Sequence, residues 1–395
     1  MVSGVSNWGI MIKLRIFPVV FALMFAINYC AARPYRPVEP LPSGIIDMHV
    51  HVAGIGAGGS GCFISPKIRK NWRFKIDLKS FGVTEKELEE KGDMLVADRL
   101  SEKLAQSRYV SKAVVLALDG IVDKNGDLDM QRTEIYVPNE FVVAAVAKHN
   151  NLMFGASINP YRKDAIERLE WAKAHGAVLV KWIPSVMNID PGDGRIIPFY
   201  KKLVELNLPL LSHAGKERSF PVTDDSLCDP EKLKLPLSLG VKVIAAHIAS
   251  TGRYHGERSS VRLERMMRQY PNLYSDISSL TQINKLRYLK EALTKPEFEG
   301  RLVYGSDYPL INTIMVSSWY YANRLGPKKA KDIEKLKNPW DIDVKIKQEL
   351  GTPADIFTRF EKLFLPQSPA GMAVSSAPVA ISTYAPAALP AVQTK

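Results

Sequence analysis

The sequence is poor in cysteine. Three cysteines in 395 residues exclude a disulfide-built scaffold, and none are paired at the C-x-x-C spacing of a thiolate metal site or redox motif. Cys30 sits in an apolar leader, which leaves Cys62 and Cys228. One disulfide between these two stays open, because spacing does not fix its geometry. A basic stripe interleaved with aromatics is also missing. The 53 lysines and arginines outnumber the 41 acids and give a net charge of +12. They are scattered beside acids, as in KLRYLKEALTK and KKAKDIEKLK, so nucleic acid is not an expected partner. The charge reads as solubility, with a bias toward anionic substrates. No apolar run has the length of a comfortable membrane span.

What is present begins with Lys13 and Arg15, followed by IFPVVFALMFAINYCAA (16–32), of signal-peptide length and ending in small residues at Ala32. Residues 1–32 are therefore expected to be a signal peptide, or a membrane anchor over 14–32 if uncleaved, and the protein to be exported, periplasmic or extracellular. Residues 33–43 read as a Pro-rich linker. From 366 to 395, small residues and prolines without hydrophobic period predict a disordered tail.

Between 44 and 365 eight short apolar runs alternate with amphipathic helical stretches. The runs are IIDMHVH (45–51), KAVVLALD (112–119), LMFGASINP (152–160), AVLVKWIP (177–184), LPLLSHAG (208–215), VKVIAAHIA (241–249), LYSDIS (273–278) and RLVYGSDYP (301–309). Helices are expected over 92–107, 139–149, 163–175, 198–206, 229–239, 260–270, 284–294 and 341–364. Strand–helix alternation argues for parallel pairing, and near-continuous apolar strands argue for coverage of both faces. Eight such units predict an α/β fold, a (β/α)8 TIM barrel, with an open doubly wound sheet as runner-up. The glycines of GIGAGGSG (54–61) are not followed directly by a helix start, so they read as close-passing backbone rather than a phosphate cradle.

The ionisable residues fall at the ends of those runs. Asp47, His49 and His51 alternate along strand 1, a spacing that puts them on one strand face. Lys181 ends strand 4, His213 strand 5, His247 strand 6 and Asp307 strand 8. A barrel brings all these ends to one mouth. Each alone has a structural explanation: a hydrogen-bonded histidine, a snorkelling lysine, a helix-capping aspartate. Together they are harder to dismiss, since four of seven histidines take such positions. Imidazoles plus a carboxylate form a site suited to Zn2+ and tolerant of Mn2+ or Fe2+.

The motifs Asp47-Met48-His49-Val50-His51, Lys181-Trp182-Ile183-Pro184, His213, His247 and Gly305-Ser306-Asp307-Tyr308-Pro309 resemble those of the amidohydrolase superfamily. Within it they resemble the amidohydrolase-related group that includes aminocarboxymuconate-semialdehyde decarboxylase and its hydrolase relatives. The resemblance covers about 43–310. It implies that His49, His51, His213 and Asp307 hold one divalent metal, most simply Zn2+. It makes His247 either the acid/base or, with a carboxylated Lys181, a ligand to a second ion. A cationic Lys181 would instead bind an anionic group of a small-molecule substrate. The expected activity is hydrolysis of an amide, ester or lactone by metal-activated water, with Asp307 and His247 handling protons. The alternatives are decarboxylation of an aromatic or enol acid and an inactive barrel that binds ligands in the cell envelope. A homo-oligomer is compatible with all three.

The chain departs from that group at TPADIFTRFEKLFLP, where an Asn-Ala pair is usual, and in long connections over 60–91 and 311–348. Glu217 and Arg218, directly after His213, are candidates for substrate binding, with a solvated loop pair as the plainer reading. Asp276 is a candidate support for the ligands. DKNGDLDMQRTE (123–134) has the spacing of a calcium loop but Leu128 where glycine is required, and reads as a polar turn.

Overall fold

The computed structural model describes residues 34–220 and 224–365. The expected signal segment and C-terminal tail lie outside the described residues. All eight apolar runs form strands of one parallel sheet: β1 (Ile45–His51), β2 (Val110–Leu116), β3 (Leu152–Ala156), β4 (Leu179–Trp182), β5 (Leu210–Ser212), β6 (Val243–Ala245), β7 (Leu273–Asp276) and β8 (Leu302–Val303). They pair in chain order. Their neighbours in space are their neighbours in sequence, as right-handed strand–helix–strand crossovers require. The sheet curls round, and β1 meets the chain beyond β8. Met48 N donates to Tyr304 O at 3.4 Å, His51 N to Tyr308 O at 2.8 Å and Asp307 N to His49 O at 3.0 Å. The fold is the expected TIM barrel.

Its interior is apolar and layered. Ile46, Met48, Val114, Leu116, Leu179, Leu211, Ile244 and Val303 pack together, and Phe360 and Phe364 of the last helix, Ala354–Phe364, join them. A larger shell packs the outer faces of the strands against the helices. The helical region expected over 341–364 is two helices, Pro339–Glu349 and Ala354–Phe364. Gly351 (φ +92°) and Pro353 separate them. A left-handed residue ends the first helix, and proline starts the second.

The alternation expected for Asp47, His49 and His51 is broken. A register shift lies between Asp47 and Val50. Asp47 does not join the imidazoles. Its carboxylate accepts from Ser306 N at 2.9 Å, from His49 N at 3.1 Å and from Trp340 Nε1 at 2.8 Å. It clamps β1, the β8 end and the helix Pro339–Glu349 together. Burial raises its pKa to about 6 against the lowering pull of these donors. Trp340 in turn stacks on Tyr308, with ring centroids 4.6 Å apart.

The glycine-rich loop has a structural cause. Asp93, buried beside it, accepts from Ile55 N, Gly56 N and Ser60 Oγ at 3.0, 2.8 and 2.5 Å. A Cβ on Gly54 would stand 2.4 Å from that carboxylate, so only glycine fits. The connection over 60–91 carries the helices Pro66–Arg69, Trp72–Phe81 and Glu85–Lys91. The linker residues are extended but docked: Tyr35 N donates to Leu350 O at 2.7 Å and Gln348 Nε2 to Glu39 O at 2.7 Å. Residues 123–134 form a turn in which Asp123 Oδ1 caps Asn125 N and Asp127 N, while Glu134 is engaged by Ser65 and Lys67. Cys62 and Cys228 are both buried and free. Among the described residues no helix is long and apolar enough to cross a membrane.

Trp340→Phe keeps the stacking ring but removes the donor to Asp47 Oδ2. A buried acceptor left without its donor costs about 1–3 kcal/mol. The variant is expected to lose that much stability in a urea titration, with an unchanged denaturant slope.

Candidate metal centre

The strand ends bring five of the expected residues together. His49, completely buried, anchors the group. Its Nδ1 lies 2.7 Å from Asp276 Oδ2. That bond assigns the ring proton to Nδ1 and leaves Nε2 with a lone pair. Around that Nε2 stand His51 Nε2 at 3.1 Å, Lys181 Nζ at 3.0 Å and Asp307 Oδ1 at 3.6 Å. His51 Nε2 is 3.3 Å from Asp307 Oδ1, and its ring is one-fifth exposed. His247 stacks on His49, with ring centroids 5.2 Å apart, and its Nδ1 pairs with Ser278 Oγ at 2.7 Å. His213 reaches the group through His247, with ring centroids 5.3 Å apart.

Local backbone aims these groups. A Cβ at Gly305 would lie 2.9 Å from His49 Cβ, so glycine lets β8 approach β1 closely. Asp307 has φ +66°, and His247, Ile248 and Ala249 run left-handed at φ +53°, +49° and +49°. Such conformations cost of order 1–3 kcal/mol each and persist only when surroundings impose them. Around His247, β7 imposes them. Asp276 Oδ1 accepts from His247 N at 2.7 Å, and Ser275 Oγ accepts from Ile248 N at 3.1 Å.

Among the described residues two groups of ligand atoms fall within 4.8 Å of one another: His49, His51 and Asp307, and His49, His247 and Asp276. The second is already saturated. Asp276 takes His49 Nδ1, His247 N, and both Ser278 N and Oγ. It behaves as the carboxylate that orients a metal-binding imidazole from behind. The first group is open. Its donor atoms are separated by 3.1–3.6 Å, as bonds of about 2.0–2.2 Å to one ion require. His213 Nε2 is a buried nitrogen without a partner, while its Nδ1 faces Glu217 Oε2 at 3.5 Å. An orphaned imidazole nitrogen beside an N/N/O cluster fits a divalent metal. His213 stands outside the tight three-atom cluster.

The electrostatics match that donor set. Burial, reinforced by the Lys181 charge, lowers the His49 pKa to about 4. Burial likewise lowers His213, and takes His247 well below its ordinary value. All three imidazoles are thus neutral, as ligands must be. Burial alone would raise Asp276 and Asp307, but the neighbouring histidines hold both below the usual carboxylate range. Burial also lowers Lys181.

Of the secondary candidates, Glu217 is buried and turned inward on His213; its Oε1 accepts from Arg218 N and Ser219 N at 2.7 and 2.5 Å. Arg218 is exposed. The remaining histidines lie apart: His149 on Asp98 at 2.7 Å, His175 on the Trp171 carbonyl at 2.8 Å, and His255 in the loop after β6. Two site residues were not visible as such in the sequence. Ser278 bonds both His247 and, at 3.2 Å, His49 Nδ1. Lys285 is a buried lysine whose charge acts on His213 and His247. In sequence it reads as the polar start of a helix.

A family model described as Amidohydrolase matches residues 46–337. The chain belongs to the amidohydrolase family. No curated protein matches it. Among solved structures it is similar to an uncharacterised TIM-barrel protein of Bordetella bronchiseptica, at 16% identity and TM-score 0.46 over 77% of this chain and 95% of that one. It is also similar to 5-carboxyvanillate decarboxylase of Sphingomonas paucimobilis, at 12% and 0.41 over 80% and 99%. A third is dihydroorotase of Campylobacter jejuni, at 16% and 0.39 over 81% and 83%. This amidohydrolase is thus an enzyme of a metal-dependent family acting on small molecules.

Because His49 is neutral when folded and titrates near 6.5 when unfolded, the unfolded chain binds more protons between those values. The metal-free enzyme is expected to be fully stabilised above pH about 6.5 and to lose up to about 3 kcal/mol from this residue as pH falls through about 4. Urea titrations across that range check it. His49→Asn, whose amide can still donate to Asp276, is expected to flatten the slope.

Proposed function

We propose that this amidohydrolase is a hydrolase that cleaves an amide, ester or lactone bond of a small, carboxylate-bearing substrate, using one divalent metal, with zinc as the first choice. The observation that carries the reading is the convergence of His49 Nε2, His51 Nε2 and Asp307 Oδ1 beside the unpartnered His213 Nε2. These four would hold the metal. When bound, it would polarise the scissile carbonyl and make a water acidic near neutral pH.

The chain's own groups would move the protons. Asp307 stays ionised, so it can accept a proton from the attacking water. Its Oδ2 lies 3.9 Å from His247 Nδ1. Ser278 Oγ already donates to Asp276, so it accepts from His247 Nδ1–H. The neutral ring then offers its bare Nε2 as a further proton acceptor, and the proton taken up by Asp307 would be returned to the leaving group. Lys181 would take the substrate's carboxylate, and burial of the site excludes competing water. The signal-like leader supports an exported place of action.

Elemental mass spectrometry on the full chain, purified without chelator, is expected to find one ion per chain, and His51→Ala to lose most of it. A metal-free wild type would overturn the reading. Two ions would point instead to a carboxylated Lys181 and a liganding His247. Product analysis then separates the reactions: hydrolysis adds water, whereas released CO2 would make the enzyme a lyase.

A further inference from the structure

Three lysines are buried among the described residues, and they are treated differently. Lys347 is completely buried and fully partnered. Its Nζ pairs with Asp343 Oδ2 at 2.7 Å and donates to Gly305 O at 3.0 Å. That is how this fold accommodates a structural buried cation. Lys181 meets His49 Nε2 instead of a carboxylate.

Lys285 is the third, with 7% of its surface exposed. It ends the short turn Ile283–Lys285 between β7 and the helix Leu286–Thr294. Its Nζ donates to Ser279 Oγ at 2.5 Å. Among the described residues it forms no ion pair within 4.0 Å. An ammonium has three protons to donate, and one hydroxyl does not offset the desolvation of a charge.

The loop that carries Lys285 is fixed against the site. Ser279 N donates to Ser306 O at 3.1 Å, next to Asp307 in the chain. The long segment after β8 braces it from outside: Ile283 N donates to Met315 O at 2.9 Å and Tyr321 OH to Leu280 O at 3.1 Å. There burial pulls the Lys285 pKa down, and the charges of Asp307, Glu217 and Asp276, none of them in contact with it, pull it back up. Those carboxylates are already engaged by imidazoles, backbone amides or Ser278.

We propose that Lys285 is a second anion-binding group of the substrate pocket, and that the substrate is a small dianion with one carboxylate at Lys181 and the other at Lys285. This rests on the reading of the site as a metal-dependent one that takes a carboxylate at Lys181, and it narrows the substrate class. It also gives the long segment after β8 a role: positioning the loop that presents Lys285.

The test is calorimetric titration of the full-length, metal-loaded enzyme with glutarate and with butyrate at one ionic strength, with metal content measured on every sample. Wild type is expected to bind glutarate at least tenfold more tightly than butyrate, the scale of one charge-assisted contact. Lys285→Met is expected to lose that preference while keeping its metal and its butyrate affinity, and Lys285→Arg to retain part of it. Lys285→Gln, which still reaches Ser279, is read in parallel should the methionine variant fail to fold. A wild type without preference for glutarate, or variants that keep the full preference, would overturn the proposal. A variant that merely loses stability or metal with its selectivity intact would make Lys285 structural. Absence of metal from wild type would sink the hydrolase reading alone, because the di- to monoanion ratio is measured separately.

Discussion

The site depends on how the barrel closes. Seven of the eight strand contacts are parallel ladders, but β1 reaches the β8 end through only a few hydrogen bonds. Asp47 strengthens that seam from beneath by taking Ser306 N, His49 N and Trp340 Nε1 onto one carboxylate. Burial raises its pKa to about 6, which reflects the cost of placing a carboxylate there. In return, the seam brings Asp307 to within 3.3 and 3.6 Å of two histidine nitrogens on the neighbouring strand. A looser seam would move Asp307 away from the imidazoles, which sit on the other side of it.

The neighbouring strand, β7, supplies the second constraint. It carries none of the expected metal ligands, yet it sets the state of two histidines. Asp276 fixes the His49 tautomer and caps the His247 amide. Ser278, two residues beyond the strand, binds the His247 ring, and Ser275 holds the amide after it. Three successive left-handed residues after β6 would not persist without those acceptors. The rigidity of the site therefore comes from the strand behind it, which is the usual origin of orientation in metal centres.

Much of this was legible in the sequence because buried parallel strands are short and apolar on both faces. All eight runs were visible, and the residues that follow an apolar run at its C-terminal end had to meet at the mouth. Asp276 was legible as a support for the same reason. Asp47 was misplaced with the histidines because strict alternation cannot foresee a register shift. The glycine loop gave no hint of Asp93, whose carboxylate it wraps from 33 to 38 residues earlier in the chain. Lys285 was hidden for a further reason. A lysine at the start of an amphipathic helix looks solvated, and its burial arises from tertiary packing that the local pattern does not carry.

The charges in the mouth follow one order of preference. Imidazoles kept neutral by burial and backbone amides claim the carboxylates first. Asp276 goes to His49 and His247, Asp307 lies against His49 and His51, and Glu217 goes to His213 and two amides. The two ammonium groups at the mouth are left with a ring nitrogen and a hydroxyl. In a water-poor pocket, unlike charges are worth far more to each other than in solvent. Cations denied the protein's own carboxylates therefore remain available to those of a ligand. Lys347, paired with Asp343 and bonded to the Gly305 carbonyl, shows that the same chain neutralises a buried lysine fully where no ligand is to be bound.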